Sequence, residues 1–452
     1  MPEPFIPTIK RHALDLLRLC GPVILSRAGL MVMMVVDAIM VGRFSTQELA
    51  YQAIGLSPLM FIMVTSFGLL MGTLVRTAYN VGAGTPENCG NVWQRSLGYA
   101  LVIAAIGLIA SFFGTDFLLL TGQEQGIAEG GGEVILILGY SIPFMLIFVT
   151  SAYFLEGLKR PKPGMYLMIA ANILNVLLNW VFVFGNLGLP AMGSAGSAWA
   201  TFGVRVFSAV ILVWYIWNLK DHEHFGIRKR HSRSWASWSH QRKIGFSAGL
   251  SNGIESAAFS SMNMFAGLLG ALPLAAFSVA FNNLALVFMI ALGIGTATAV
   301  CVGNAHGRGD ARDMAFAGWT GLGLTCVAMS LLGLPLILAP NLIAGIFSTD
   351  PALVAAAAPM IAFVAFVLIA DGGQSVMAHA LRGRSETWAP AVLHLVSYLV
   401  IMMPGAWLLS HTFGRGAIGL FEAILIASLM SASLLSTRFW WLSRRYATVE
   451  TV

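Results

Sequence analysis

Residues 31–42 read MVMMVVDAIMVG, eleven apolar or glycine positions around a single carboxylate, Asp37. The apolar stretch extends over residues 19–42, long enough for an α-helix to cross the ~30 Å hydrocarbon core of a bilayer. A backbone in lipid has to be helical there, because only bonds within the segment satisfy its N–H and C=O groups. A carboxylate at that depth costs from about 2.5 to more than 10 kcal/mol. Glu255 and Asp371 sit in stretches of the same kind. Three such acids point to cation binding, proton movement, or both.

Working outward, hydropathy gives twelve spans, at 19–42, 51–81, 93–114, 133–156, 165–186, 195–218, 244–270, 274–303, 314–338, 355–381, 389–411 and 416–441. With 57% apolar and 10% charged residues over 452 positions, the chain is not a water-soluble globular protein. Its +6 net charge is not a nucleic-acid signal, because the basic residues follow a membrane rule. With the N-terminus placed in the cytoplasm, 21 of the 26 Lys and Arg fall in or beside cytoplasmic segments. Arg43 and Arg415 fall outside, while Arg27, Arg76 and Arg205 lie within spans. Both termini are therefore expected inside. The first span is longer than a signal-peptide core and shows no convincing cleavage site, so it is expected to be retained. Cys20, Cys89, Cys301 and Cys326 are scattered, which suggests neither a disulfide framework nor a metal site.

The chain repeats itself. MGTLVRTAYNVGAG (71–84) matches IGTATAVCVGNAHG (294–307) at an offset of 223, and Gly157-Leu158-Lys159 matches Ala380-Leu381-Arg382 at the same offset. Leu49-Ala50 matches Leu274-Ala275 at 225. The expected fold is an all-α membrane protein of twelve transmembrane helices in two pseudo-symmetric six-helix lobes, residues 1–219 and 244–452. A basic cytoplasmic linker, 220–243, joins them and reads as a solvated, topology-setting segment. Duplicated bundles with polar groups near the midplane are the architecture of alternating-access transporters. No G-x-x-x-x-G-K-[ST] loop is present, so the energy source is an ion or substrate gradient.

Among the polar residues, Asp37 lies in an apolar setting that favours a protonated carboxyl group, which suits it to carrying a proton; a structural bond or an ion pair with Arg205 is the alternative. Asn172, Asn175 and Asn179 are spaced i, i+3, i+7 on one helical face, lining either a helix seam or a polar cavity. Glu255 and Asp371, with Asn282 and Asn283 nearby, suit a shared proton or a Na⁺ ion. Gly372-Gly373 would weaken the helix beside Asp371 and free backbone carbonyls. Glu156 is a candidate gate, or simply solvated beside Lys159 and Arg160. His394 reads as a satisfied core histidine or a proton relay, and Glu422 as an interfacial acid. Arg76 can snorkel, and Arg27 needs a partner that the sequence does not identify. Some of the 22 Met residues could line a pliable, promiscuous pocket.

These residues carry a resemblance. VDAIMVGRFSTQELAYQAIG (36–55) with Pro22, GTLVRTAYNVGAG (72–84), LEGLKRPKPGMYLMIAANILNVLLNWVFVFG (155–185) and ALRGRSETWAP (380–390) closely resemble the multidrug and toxic compound extrusion (MATE) family, in its NorM-type bacterial branch. The resemblance implies two six-helix lobes around a V-shaped cleft. It also implies export of small cationic, amphipathic drugs or dyes in exchange for H⁺ or Na⁺, with no other cofactor, across the bacterial cytoplasmic membrane. By matching positions, Asp37 looks like the first-lobe acid, with Asn175 and Asn179 as companions. Glu255, Asp371 and Asn282 look like the second-lobe cation site. NorM-type proteins can carry a tyrosine one turn before the second-lobe aspartate, where this chain has Val367.

A monomer in the bilayer is the expected working form. The alternative is a related flippase or exporter of a specific metabolite or lipid-linked precursor. A phosphate-carrying cleft needs several basic residues, and only Arg27, Arg76 and Arg205 lie within the spans, against three acids. An intramembrane enzyme finds no H-E-x-x-H motif to support it.

Overall fold

The computed structural model describes residues 5–229 and 238–449. Helices α1 (Phe5–Phe44), α2 (Thr46–Gly82), α3 (Cys89–Ser111), the short α4 (Gly114–Leu120), α5 (Gln125–Gly157), α6 (Lys162–Phe182) and α7 (Gly193–Trp217) form the first half. The second half holds α8 (Ser239–Leu268), α9 (Ala271–Arg308), α10 (Ala311–Leu338), the short α11 (Pro340–Phe347) and α12 (Pro351–Gly383). It closes with a composite span from Trp388 to Thr412, followed by α15 (Ala417–Val449). That composite span alternates α13 (Trp388–His394) and α14 (Met403–Trp407) with wider π-helical turns at Leu395–Met402 and Leu408–Thr412. Among the described residues no strand is present.

Among the described residues, eleven helices are long and apolar enough to cross a membrane, and the chain is a multi-pass membrane protein. The seventh expected span forms the 30-residue α8, yet its apolar content is too low to join those eleven. The reason is Ser247, Ser251, Asn252, Glu255, Ser256, Ser260, Ser261 and Asn263, which interrupt it about once per turn. A span this polar needs protein rather than lipid on much of its surface.

The helices gather into two compact units. One comprises Leu25–Val81 and Thr85–Gly245; the other comprises Met1–Ile24, Gly82–Gly84 and Phe246–Val452. The first ten residues of the expected linker are packed on the first unit. Gly90 N–H donates to the Phe225 carbonyl (2.7 Å), Gln94 Nε2 donates to that of Ile227 (2.7 Å), and Ile227 is fully buried. Arg160 pairs with Asp221 at 2.7 Å, which holds the Asp221 carboxyl below its usual range. Residues 230–237 of that linker lie outside the described residues.

The internal repeat is visible in the backbone, in a different register from the strongest sequence match. Helices α5 and α12 end in the same C-terminal motif. Lys159 N–H bonds the Glu156 carbonyl and Arg160 N–H that of Leu155; Ser385 bonds Arg382 and Glu386 bonds Leu381 in the same pattern. Lys159 and Ser385 take matching left-handed conformations, φ 59° and 64°. The terminal glycines, Gly157 and Gly383, each lie against a neighbouring helix, at Leu74 and Thr77 in one case and Ala299 and Val302 in the other. The equivalence of Gly157 and Gly383 fixes the offset at 226 there, close to the 225 of Leu49-Ala50 and not the 223 of Gly157-Leu158-Lys159. Apolar helices offer many near-equal alignments, so hydrogen bonds at helix ends set the register better than side-chain identity does.

Candidate functional site

The first polar cluster lies wholly in the first unit. Asp37, on α1, is 6% exposed and receives three side-chain donors. Asn175 Nδ2 and Asn179 Nδ2, from α6, reach Oδ1 at 2.9 and 2.7 Å, and Thr201 Oγ1, from α7, reaches Oδ2 at 3.0 Å. The two asparagines are spaced i, i+4, so one helical face delivers both amides. Asn172 does not join them; its amide donates to the carbonyls of Gly29 (3.0 Å) and Met168 (2.9 Å), a seam between α1 and α6. The side-chain oxygens (Oδ1) of Asn175 and Asn179 are buried without a hydrogen-bond partner. They are acceptors available to a bound cation or a carboxyl proton.

Asp37 opens onto a cavity of about 70 Å³, room for a few water molecules. Six methionines line it: Met33, Met34, Met60, Met63, Met145 and Met168. Unbranched thioether side chains repack at low cost, so this cavity can enlarge around varied apolar groups. Arg205 lines the same cavity, but its Nη1 donates to Ser141 Oγ at 2.6 Å instead of bonding to the carboxylate. Thr201 is the partner that sequence reasoning missed. No local pattern marks a threonine 164 residues away as a neighbour of Asp37.

The second cluster lies wholly in the other unit. Glu255, half-buried on α8, and Asp371, 2% exposed on α12, share one amide. Gln374 Nε2 donates to Glu255 Oε1 (3.1 Å) and to Asp371 Oδ1 (3.2 Å). Ser428 Oγ (3.1 Å) and Tyr398 OH (3.4 Å) also donate to Asp371 Oδ1. The donor set is all oxygen: two carboxylates, two hydroxyls and the partnerless Gln374 Oε1. That chemistry suits a hard monovalent cation or a proton. Val367 brings no hydroxyl to Asp371; the tyrosine hydroxyl that reaches it, from Tyr398, comes from a different helix. Among the described residues, no hydrogen bond links Asn282 or Asn283 to either acid; Asn283 donates to the Val279 carbonyl one turn earlier (2.9 Å).

Gly372 and Gly373 do not open the helix: α12 runs unbroken through them. A side chain at Gly372 would meet Met329, Thr325 and Ala291 at 3.0–3.3 Å, so this glycine serves close helix packing. Glu156 is not a solvated residue beside Lys159. It is 5% exposed and is the partner of Arg27, at 3.6 Å, whose guanidinium also lies over the Tyr153 ring. Glu422 pairs with Arg415. His394 Nδ1 meets Ser251 Oγ at 2.7 Å.

The MatE family model matches residues 22–181 and 248–408, once in each half of the chain. A probable multidrug resistance protein NorM of Caulobacter vibrioides is 39% identical over 447 residues, covering 98% of this chain and 95% of the relative. One of the same name from Mesorhizobium japonicum is 30% identical, covering 95% and 93%. A crystal structure of MATE in the bent conformation superposes with a TM-score of 0.89 at 18% identity, over 98% of this chain and 99% of that one. Two matches to one family model, relatives aligned nearly end to end and a shared fold lead to one conclusion: the chain belongs to the MatE family of membrane transporters, and it is not an enzyme.

Proposed function

We propose that this protein is a secondary active multidrug exporter of the bacterial inner membrane. It exchanges cationic, amphipathic compounds for H⁺ or Na⁺, works as a monomer and keeps both termini in the cytoplasm. The observation that carries this reading is Asp37, a buried carboxylate in the wall of a methionine-lined cavity. The charge recognises a cation while the thioethers adapt to its apolar body. The relatives' name, multidrug resistance protein, agrees.

In this mechanism the outward-open protein takes up H⁺ or Na⁺ at its acids, and the drug's hold on Asp37 weakens. The drug leaves, the protein opens inward, and release of the ion restores the negative charge. One carboxylate cannot serve drug and ion at full strength together, so their competition is the coupling. In the second unit, Glu255 and Asp371 hold the driving cation, with Gln374, Tyr398 and Ser428 orienting them. Each charge moved across 100 mV supplies roughly 2.3 kcal/mol, a gradient of about fiftyfold.

Purified protein in liposomes tests this, with dye transport measured under an imposed Na⁺ gradient and, separately, a pH gradient. Dye movement driven by either gradient supports antiport and names the ion. Movement indifferent to both refutes it.

A further inference from the structure

The acid pair of the second unit has a fixed cation near it, toward one end of the same helices. Arg382 lies eleven residues past Asp371 on α12, about 16 Å along the axis, and is 2% exposed. Its Nη2 donates to Ser251 Oγ at 2.9 Å, and Ser251 sits one turn before Glu255 on α8. An arginine can only donate, so Ser251 accepts from it and has its own hydrogen left for His394 Nδ1. Ser251 is fully buried and His394 is 2% exposed. Arg382 is within electrostatic reach of both Glu255 and His394. Of the other basic groups nearby, His379 is turned to the Ser375 carbonyl, and Arg384 is held by Leu442 and Ser443 on α15.

By sequence, Arg382 counts among the loop cations that set topology; by structure it is an interior group. The repeat sharpens the contrast. Glu156 and Arg382 each immediately precede the terminal glycine of their helix, so one position carries opposite charges in the two copies.

We propose that Arg382 is an electrostatic plug on the cytoplasmic side of Glu255 and Asp371, blocking a proton or Na⁺ held there from leaking straight down the helices into the cytoplasm. The inference rests on the antiport reading and on the orientation proposed with it. A guanidinium keeps its charge throughout the biological pH range, and a fixed positive charge in a low-dielectric interior is a device by which channels exclude cations. Ser251 and His394 are positioning residues that satisfy and aim the guanidinium. With this route closed, the bound ion leaves only when the protein changes conformation, as tight coupling requires.

The test is passive leak in drug-free liposomes under an inside-negative potential, with proton entry read by a trapped pH dye and Na⁺ entry by radiotracer. Arg382→Gln is expected to raise the leak of the coupling ion tenfold or more over wild type. Arg382→Lys should stay near wild type, and Ser251→Ala should raise the leak by a smaller factor. A merely structural role would lower drug exchange without opening a leak. A wild-type-like leak in Arg382→Gln overturns the plug; if that variant does not reach the membrane, a wild-type-like leak in Ser251→Ala overturns it. Drug-driven exchange is measured in parallel on wild type. Its absence there refutes the antiport reading separately, and the leak comparison stands either way.

Discussion

Asp37 offers a test in which charge and packing separate. Asp37→Asn keeps the shape of the side chain. Its remaining oxygen can still accept from Asn175 and Asn179, and Thr201 can rotate its hydroxyl to accept from the new amide. Asp37→Leu removes the acceptor from all three; Asn179 Nδ2 keeps the Asn175 backbone carbonyl at 2.9 Å, while the Asn175 and Thr201 donors lose theirs. Each orphaned donor costs about 1–3 kcal/mol, so the leucine variant should lose at least about 2 kcal/mol of stability and the asparagine variant far less. Function should respond differently. A unit charge about 4 Å from a cationic drug, at an effective dielectric near 20, is worth about 4 kcal/mol, or roughly a thousandfold in affinity. Asp37→Asn should therefore melt near wild type, reach the membrane and fail to confer drug resistance. Binding of a cationic dye should collapse while an uncharged analogue binds as before. Melting curves in detergent and equilibrium dye binding measure the two effects. Wild-type export by Asp37→Asn would refute the role of the charge, and equal melting of the two variants would refute the hydrogen-bond network.

The remaining predictions concern other groups. Glu156→Gln leaves Arg27 buried beside a neutral amide and should cost about 3 kcal/mol, at the low end for a broken buried pair because the observed separation is 3.6 Å; Arg27→Met combined with Glu156→Leu should recover most of the lost melting temperature. Tyr398→Phe removes a 3.4 Å donor from Asp371 and should change the half-saturating concentration of the driving cation about two- to tenfold, with the half-saturating drug concentration unmoved. Arg160 lowers the Asp221 carboxyl, so this contact is fully present above the ordinary aspartate value and is lost as pH falls through the depressed one. Asp221→Asn should accordingly speed tryptic cleavage at Arg228 and Lys229 at neutral pH, whereas wild type should loosen there only in acid.

What the sequence shows follows what is local. Spans are legible because twenty apolar residues in a row have few other fates, and α8 falls short only because its serines feed a polar interior. Asn175 and Asn179 are legible as one face because four residues make about one turn. Gln374 was equally accessible, three residues past Asp371 on the same helix, once the two acids are known to be neighbours. Thr201, Tyr398 and Ser428 are not legible, because they reach their carboxylates from helices that the sequence does not place together. The pairing of Arg27 with Glu156 is hidden for the same reason. Only the fold shows that a residue at the edge of an apolar run, beside two loop cations, is turned inward.

The repeat explains why the two polar clusters are alike in scaffold and unlike in chemistry. In the register set by Gly157 and Gly383, Asp371 corresponds to Met145, one of the thioethers lining the Asp37 cavity. In the same register Arg382 corresponds to Glu156. Each copy thus keeps the helix, its terminal motif and its closely packed glycine, while two positions on that helix exchange charge character. The first unit offers one carboxylate within an adaptable apolar wall, which fits a bulky organic cation. The second offers two carboxylates tied by an amide among compact hydroxyls, with a guanidinium near one end, which fits a small cation that must not slip through. Under the antiport reading this division of labour has a direct consequence. Asp37→Asn should abolish cationic dye binding, and with it the competition at Asp37, while the driving cation still binds at Glu255 and Asp371; Asp371→Asn should abolish that second-unit cation site while the dye still binds. If each substitution abolished both in equal measure, the two units would not be specialised and the assignment of drug to one and ion to the other would fail.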